Sequence, residues 1–178
     1  MLTEESIQMT ISGQTDVAVV IPVFNCKGYI REAADSVLGQ PYQKISIVLV
    51  DDGSTDGSGQ LCDEIAKESN RVTVLHQKNA GVSAARNAGI EYILSADDGV
   101  RYIAFLDADD GWASNFFNEN TIKLLQNGYD LIGFQSCNCN AQLRSYDVPK
   151  TMTDGLHSGG QSSVWLHATQ SFAAMLYS

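Results

Sequence analysis

No stretch of this 178-residue chain approaches the uninterrupted apolar length that a bilayer requires. Its first residues, Met1-Leu2-Thr3-Glu4-Glu5, lack the basic and apolar regions of a secretory leader. These two absences predict a cytoplasmic protein, at most peripheral at the inner face of a membrane. Basic residues are scarce: 11 Lys and Arg stand against 21 Asp and Glu, a formal charge of -10. Such a field repels nucleic acid and anionic lipid, so a phosphorylated ligand would need a metal bridge more than a basic pocket. The four cysteines are expected as reduced thiols, with Cys26 and Cys62 as ordinary core or loop residues. Cys137-Asn138-Cys139, even with His157 or His167, lacks the second closely spaced pair that would complete a tetrahedral zinc set. Neither G-x-G-x-x-G nor G-K-[ST] occurs, which argues against a Rossmann dehydrogenase and a P-loop enzyme. Internal repeats and low-complexity segments are missing too.

What is present is a regular alternation of strand and helix patterns. Val17 to Val23 and Ile45 to Val50 are continuous apolar runs, and Val72 to Leu75 is a shorter one. Between them, Ile30, Ala33, Ala34, Val37 and Leu38 fall at helical spacing, with Gly39-Gln40-Pro41 as a stop. Further helices are predicted from about Gly57 to Ser69 and from Gly81 to Leu94, before a strand over Tyr102 to Leu106 that ends at Asp107. Strands without alternating polarity, separated by helices, predict an α/β fold whose mostly parallel sheet is covered on both faces. Right-handed crossovers then place the ends of strands one, two and four along one edge. Beyond Trp112 the pattern predicts a helix from Ser114 to Gln126, a strand from Leu131 to Phe134, a Gly/Ser-rich loop over Gln135 to Gly160 and a terminal helix over Val164 to Tyr177. The length suits one domain, alone or as the front part of a longer enzyme.

The chemistry concentrates at that predicted edge. Asp107-Ala108-Asp109, with Asp110 behind it, closes a buried strand, where open α/β sheets bind ligands. If the segment stays extended, Asp107 and Asp109 share a face, and their repulsion calls for a hard cation such as Mg²⁺ or Mn²⁺. Solvated loop acids or a helix cap before Trp112 are the plainer reading. After strand one, Pro22-Val23-Phe24-Asn25 offers a fixed backbone and an apolar surface for a base, or a plain strand exit. After strand two, Asp51 and Asp52 can accept hydrogen bonds from an imide N–H or ribose hydroxyls, or serve with Asp56 as turn and cap residues beside Gly53. Asn79-Ala80-Gly81-Val82-Ser83-Ala84-Ala85-Arg86-Asn87-Ala88-Gly89 packs small residues around one Arg at a helix start, so that Arg86 can meet a phosphate or hold an Asp in place.

These four motifs, in this order over residues 16 to 112, resemble a family 2 glycosyltransferase of the GT-A fold. The resemblance implies inverting transfer of a sugar from a nucleotide sugar, usually a UDP-sugar, to an acceptor hydroxyl. It implies that Pro22, Phe24 and Asp52, with Asp51, line the nucleoside site, and that Val23, Asn25, Asn79, Gly81, Arg86 and Ala108 belong to the same surface. It also implies that Asp107 lies near the ribose or sugar, and that Asp109, with Asp107 a further possibility, binds the Mn²⁺ or Mg²⁺ that bridges the diphosphate. Residues 1–134 would then form the donor core and residues 135–178 the start of an incomplete acceptor-side region. The expected partners are the nucleotide sugar, a saccharide, lipid-linked or protein acceptor, and a second copy of the chain.

An inverting reaction also needs a general base within reach of the acceptor hydroxyl. Asp147, Asp154, His157 and His167 are the available candidates, each equally readable as an ordinary loop or helix residue. Trp165 offers a stacking face for a sugar or a core position between Val164 and Leu166. A nucleotide-sugar-binding module without transferase activity of its own is therefore the second reading. A nucleotidyltransferase is a third, lacking the glycine-rich basic loop that a triphosphate requires.

Overall fold

Nearly every position of the first two apolar runs carries a β-branched or other apolar side chain, a pattern stable only in strands covered on both faces. In the computed structural model these runs form β1 (Val17–Val23) and β2 (Ile45–Asp51), paired in parallel with Val17 opposite Ile45 and Val23 opposite Asp51. The structure describes residues 15–96 and 99–127, together with the backbone of 131–134, 163–164 and 173–177. β3 (Val72–His76) lies parallel beside β2, and β4 (Tyr102–Phe105) parallel beside β1. The C-terminal ends of β1, β2 and β4 therefore share one edge, as the alternating pattern predicts.

Alternation along the strands divides the core in two. Val17, Val19 and Ile21 with Ile45, Ile47 and Leu49 meet α1 (Ile30–Leu38) and α2 (Ser58–Glu68) on one face. On the other face Ala18, Val20, Val48 and Val50 meet Ala85 and Ile93 of α3 (Val82–Ala96). Full burial of each such side chain contributes roughly 1.5–3 kcal/mol. The same alternation sends Asp51 toward α2 and Asp52 toward the segment entering α3.

Two predicted helices differ from what is found. The helix expected from Ser114 begins only at Glu119, as α4 (Glu119–Gln126). Asn118 is the reason: its side-chain oxygen accepts from the Asn120 and Thr121 amides and caps the helix there. Before it, Phe116 and Phe117 pack against Trp112, with ring centroids 4.6 and 5.3 Å away. Where the described residues fall in the terminal helix expected over Val164 to Tyr177, they are strand instead. After β5 (Leu131–Phe134) come β6 (Ser163–Val164) and β7 (Ala173–Tyr177), and β7 inserts antiparallel between β4 and β5. A strand in that slot gives the open side of β4 backbone partners, which a helix cannot do. The sheet order is β3-β2-β1-β4-β7-β5-β6. The loop expected over 135–160 lies outside the described residues, as do Cys137, Cys139 and Trp165.

Helix α3 reaches the sheet through its small residues. A Cβ at Gly89 would lie 2.5 Å from Cγ1 of Val20, so no larger residue fits without moving helix or strand. Gly89→Ala should accordingly destabilise the domain by about 1–3 kcal/mol despite the better helix propensity of alanine. Urea denaturation measures this, and an unchanged midpoint would mean that α3 can lift from β1 at no cost.

Candidate functional site

Two loops leave the shared edge side by side, one after β1 and one after β2. Asn25, held at a positive φ of 53°, links them: its side-chain oxygen accepts from the Thr55 amide at 2.8 Å, and its own amide donates to Ser54 Oγ at 3.1 Å. Asp56 closes the same seam by accepting from the Lys27 amide at 3.1 Å and the Ser58 amide at 2.9 Å. With the backbone fixed on both sides, Phe24 projects from the seam with 48% of its surface exposed. An aromatic ring left open there is unusual for a core-forming residue and is available for stacking. Pro22 is half-buried opposite Val50, while Val23 is fully buried in the core beneath.

Asp52 is only 2% exposed, and among the described residues it carries no cationic partner; three donors satisfy its carboxylate. Oδ1 accepts from Gln77 Nε2 at 2.7 Å and the Ala80 amide at 2.8 Å, and Oδ2 accepts from the Gly81 amide at 2.8 Å. Burial, the largest single influence, pushes its proton affinity up, but the three donors together outweigh it and hold the carboxyl below the ordinary aspartate value. Gly53 makes this approach possible. It sits at φ 74°, and a Cβ on it would lie 2.8 Å from the Asn79 amide nitrogen. Asp51 points to the opposite face, where its carboxylate accepts from the Ser54 amide at 3.0 Å and contacts His76 Nδ1 at 3.0 Å. Burial opposes its ionisation, yet the bonds from Ser54 and His76 leave its carboxyl lowered as well.

At the end of β4 the expected extended segment is a turn. The Leu106 amide still bonds the Val20 carbonyl at 3.1 Å, but the Asp110 amide then folds back onto the Asp107 carbonyl at 3.0 Å. Burial of Ala108 and Trp112 in the α1–α2 core accompanies this turn, so Asp107 and Asp109 leave a turn rather than an extended strand. Asp107 and Asp109 are exposed, and Arg86 Nη2 reaches Asp107 Oδ1 at 2.6 Å. Arg86 thus holds an Asp, one of the two roles expected of it. Partial burial first, then the Asp109 and Asp107 charges, raise the Asp110 carboxyl. Asp107, Asp109 and Asp110 offer hard carboxylate oxygens, the donor type that suits Mg²⁺ or Mn²⁺, and Arg86 occupies one oxygen of Asp107. Among the described residues no group of three or more His, Cys, Asp or Glu is placed to hold a metal ion, so a cation here would draw oxygens from its ligand as well.

Several contributors carry no motif. Gln77 and His76 face Asp52 and Asp51 because β3 pairs in parallel with β2, and that register was the available signal. Gln40, 1% exposed, donates to the Ser36 and Ala113 carbonyls and accepts from the Phe117 amide, while Ser36 Oγ accepts from the Trp112 amide. These bonds fasten the segment behind Asp109 to the end of α1. Asn79 is exposed at the site margin. A cavity of about 540 Å³ opens on the α2 side of the seam, lined by residues such as Lys27, Thr55, Gln60 and Glu64, and none of the sequence-predicted site residues lines it. Asp147, Asp154, His157 and His167 lie outside the described residues.

A mostly parallel sheet with paired carboxylates after β2, a small-residue helix entry and an Asp-rich turn after β4 make this a GT-A-type α/β domain. The model of the family described as "Glycosyl transferase family 2" matches residues 18–174, and the chain belongs to that family. It is 37% identical over 134 residues to an uncharacterized glycosyltransferase, EpsJ, of Bacillus subtilis, covering 75% of this chain and 38% of EpsJ. In fold it is similar to S. aureus TarS in complex with UDP-GlcNAc (TM-score 0.61, 22% identity, 78% of this chain and 38% of that one). A second similar fold is the Pyrobaculum calidifontis mannosyltransferase PcManGT in complex with GDP-Man and Mn²⁺ (TM-score 0.56, 23% identity, 68% of this chain and 35% of that one). The chain thus spans well under half the length of each.

Asp52→Ala would strand the Ala80 and Gly81 amides and the Gln77 side chain, at a cost of about 2–3 kcal/mol. Because the native carboxyl is lowered, its stabilisation is complete above the unfolded value of about 4 and is lost as pH falls through the native value. Thermal melts between pH 2 and 7, at about one-unit steps, should show that acid loss in the parent chain and a shallower one in the variant. Equal acid slopes would refute this account of Asp52.

Proposed function

We propose that the chain is the donor-binding part of an inverting glycosyltransferase that takes a nucleotide sugar, preferentially a UDP-sugar. The observation that carries this reading is the placement of an exposed Phe24, the Asp52-fastened turn and the Asp107–Asp110 turn along one sheet edge. The base would stack on Phe24 above Pro22. Asp52, by fixing the Ala80 and Gly81 amides, shapes the wall that the nucleoside meets, and its remaining acceptor capacity is suited to a donor N–H or hydroxyl. Arg86 holds Asp107 toward the sugar side through their ion pair.

Asp109, with Asp107 beside it, would hold a divalent cation. Bound there, Mn²⁺ or Mg²⁺ supplies Lewis-acid neutralisation of the charge that grows on the departing diphosphate. The net charge of -10 favours this arrangement over a basic phosphate pocket. The acceptor, proposed as a saccharide in surface polysaccharide or glycoconjugate synthesis, and the base that deprotonates it belong to the region after residue 134, where Asp147, Asp154, His157 and His167 are the proposed sources of that base. The proposed location is the cytoplasmic side of the membrane; among the described residues no helix is long and apolar enough to cross one.

Asp109 is exposed, so its loss should spare the fold. Asp109→Ala is expected to weaken metal-supported UDP binding roughly tenfold or more while moving the melting temperature by less than about 2 °C. Calorimetry with Mn²⁺ or with EDTA measures the first and a thermal scan the second. UDP affinity indifferent to EDTA would remove the metal from the account. Release of UDP from a UDP-sugar would establish transfer or hydrolysis by this chain, whereas binding without release would identify a donor-binding module.

A further inference from the structure

His76 and Gln77 are consecutive residues at the end of β3, and each engages one of the consecutive acids at the end of β2. His76 stands opposite Asp51 in the parallel register, with Nδ1 at 3.0 Å from Asp51 Oδ2. Gln77 donates its backbone amide to the Asp51 carbonyl at 2.9 Å and its side-chain amide to Asp52 Oδ1 at 2.7 Å. Successive side chains leave a strand on opposite faces, so this pair grips both faces of the edge at once. The far side of the imidazole is also occupied: Nε2 lies 3.1 Å from Asp63 Oδ1, on the second turn of α2. Helix α2 in turn sits directly on Asp51, since a Cβ at Gly59 would fall 2.5 Å from Asp51 Oδ2.

Both carboxylates can only accept, and a neutral imidazole can donate from one nitrogen only. Both bonds coexist only in the imidazolium, so the bridge from β2 through β3 to α2 is made by a proton. We infer that protonated His76 is a positioning residue for the nucleoside side of the site, clamping α2 against Asp51 so that Gln77 and Asp52 hold the Ala80–Gly81 turn for nucleotide binding. The role of that turn rests on the nucleotide-sugar reading above.

The groups facing His76 are Asp51 from β2 and Asp63 from α2. The hydrogen bond from Asp51, then that from Asp63, raises its proton affinity above the ordinary histidine value, against some burial. The Cys62 thiol beside them is pushed up to about 12, mainly by burial, and stays neutral throughout. A raised native value means the clamp is complete below the unfolded value of about 6.5 and opens as pH rises through the native value.

The test follows His76 ring resonances by NMR from about pH 5 to 9, alongside UDP affinity in Mg²⁺ and amide-exchange protection of Ala80 and Gly81. The parent chain, Asp63→Asn and His76→Gln are compared. In the parent chain UDP affinity and amide protection should fall several-fold with the His76 midpoint. Asp63→Asn should move all three midpoints down together, and His76→Gln should abolish the pH-dependent difference. A His76 midpoint that moves in Asp63→Asn while affinity and protection stay put would overturn the inference. If the parent chain binds no UDP at any pH, the nucleotide reading fails separately. Amide protection then decides the clamp: tracking His76 supports it, and indifference to His76 overturns it.

Discussion

A buried carboxylate held by neutral N–H donors organises the whole edge. Asp52 lies almost fully out of solvent, and ionised it is tolerable only because three N–H groups from Gln77, Ala80 and Gly81 point at it. Meeting that demand dictates much else. Gly53 must be glycine so that the β2 loop can lie against Asn79, and β3 must keep the register that brings Gln77 across. The chain entering α3 must present its amides inward, which leaves Val82 half-exposed at the helix start and sets the direction from which Arg86 reaches Asp107. The Asp-rich turn after β4 is braced from its other side by Ser36 of α1 and by Gln40 just past that helix, and the Arg86–Asp107 pair joins the two halves of the edge.

The division of labour among the acids follows from this. Asp51, Asp52 and Asp56 spend most of their acceptor capacity on backbone amides and neighbouring side chains, whereas Asp107 and Asp109 remain exposed, with Arg86 on Asp107. The first group shapes; the second group keeps charge available. A domain with a net charge of -10 can still attract a diphosphate if its exposed carboxylates carry a divalent cation to it. That is why a single exposed Asp carries more of the functional argument than the buried ones.

Most of the fold was legible because apolar runs and helical spacing are local signals. The runs 17–23 and 45–50 read as covered strands, and the Asp51-Asp52 pair that follows the second reads as edge acids. What was not legible depended on register and competition. Gln77 and His76 look like ordinary loop polar residues until β3 is laid against β2, and Gln40 reads as a helix stop, although it spans α1 to Phe117. The segment after Phe105 was expected to stay extended; burial of Ala108 and Trp112 accompanies a turn there instead. The apolar stretch Ala173–Tyr177 fits a helix or a strand by composition, and only the open side of β4 decides for the strand.

On the proposed reading, the nucleotide diphosphate and its cation meet this chain at the Asp107–Asp110 turn, with the nucleoside toward Phe24 and Gly81. Backbone NMR of the chain titrated with UDP and Mn²⁺ tests it most directly, since the paramagnetic ion broadens the resonances nearest to it. The account predicts broadening centred on Asp107 to Asp110 and shifts at Phe24, Gly53, Ala80 and Gly81. Broadening centred instead on Lys27, Gln60 and Glu64, around the cavity beside α2, would contradict it.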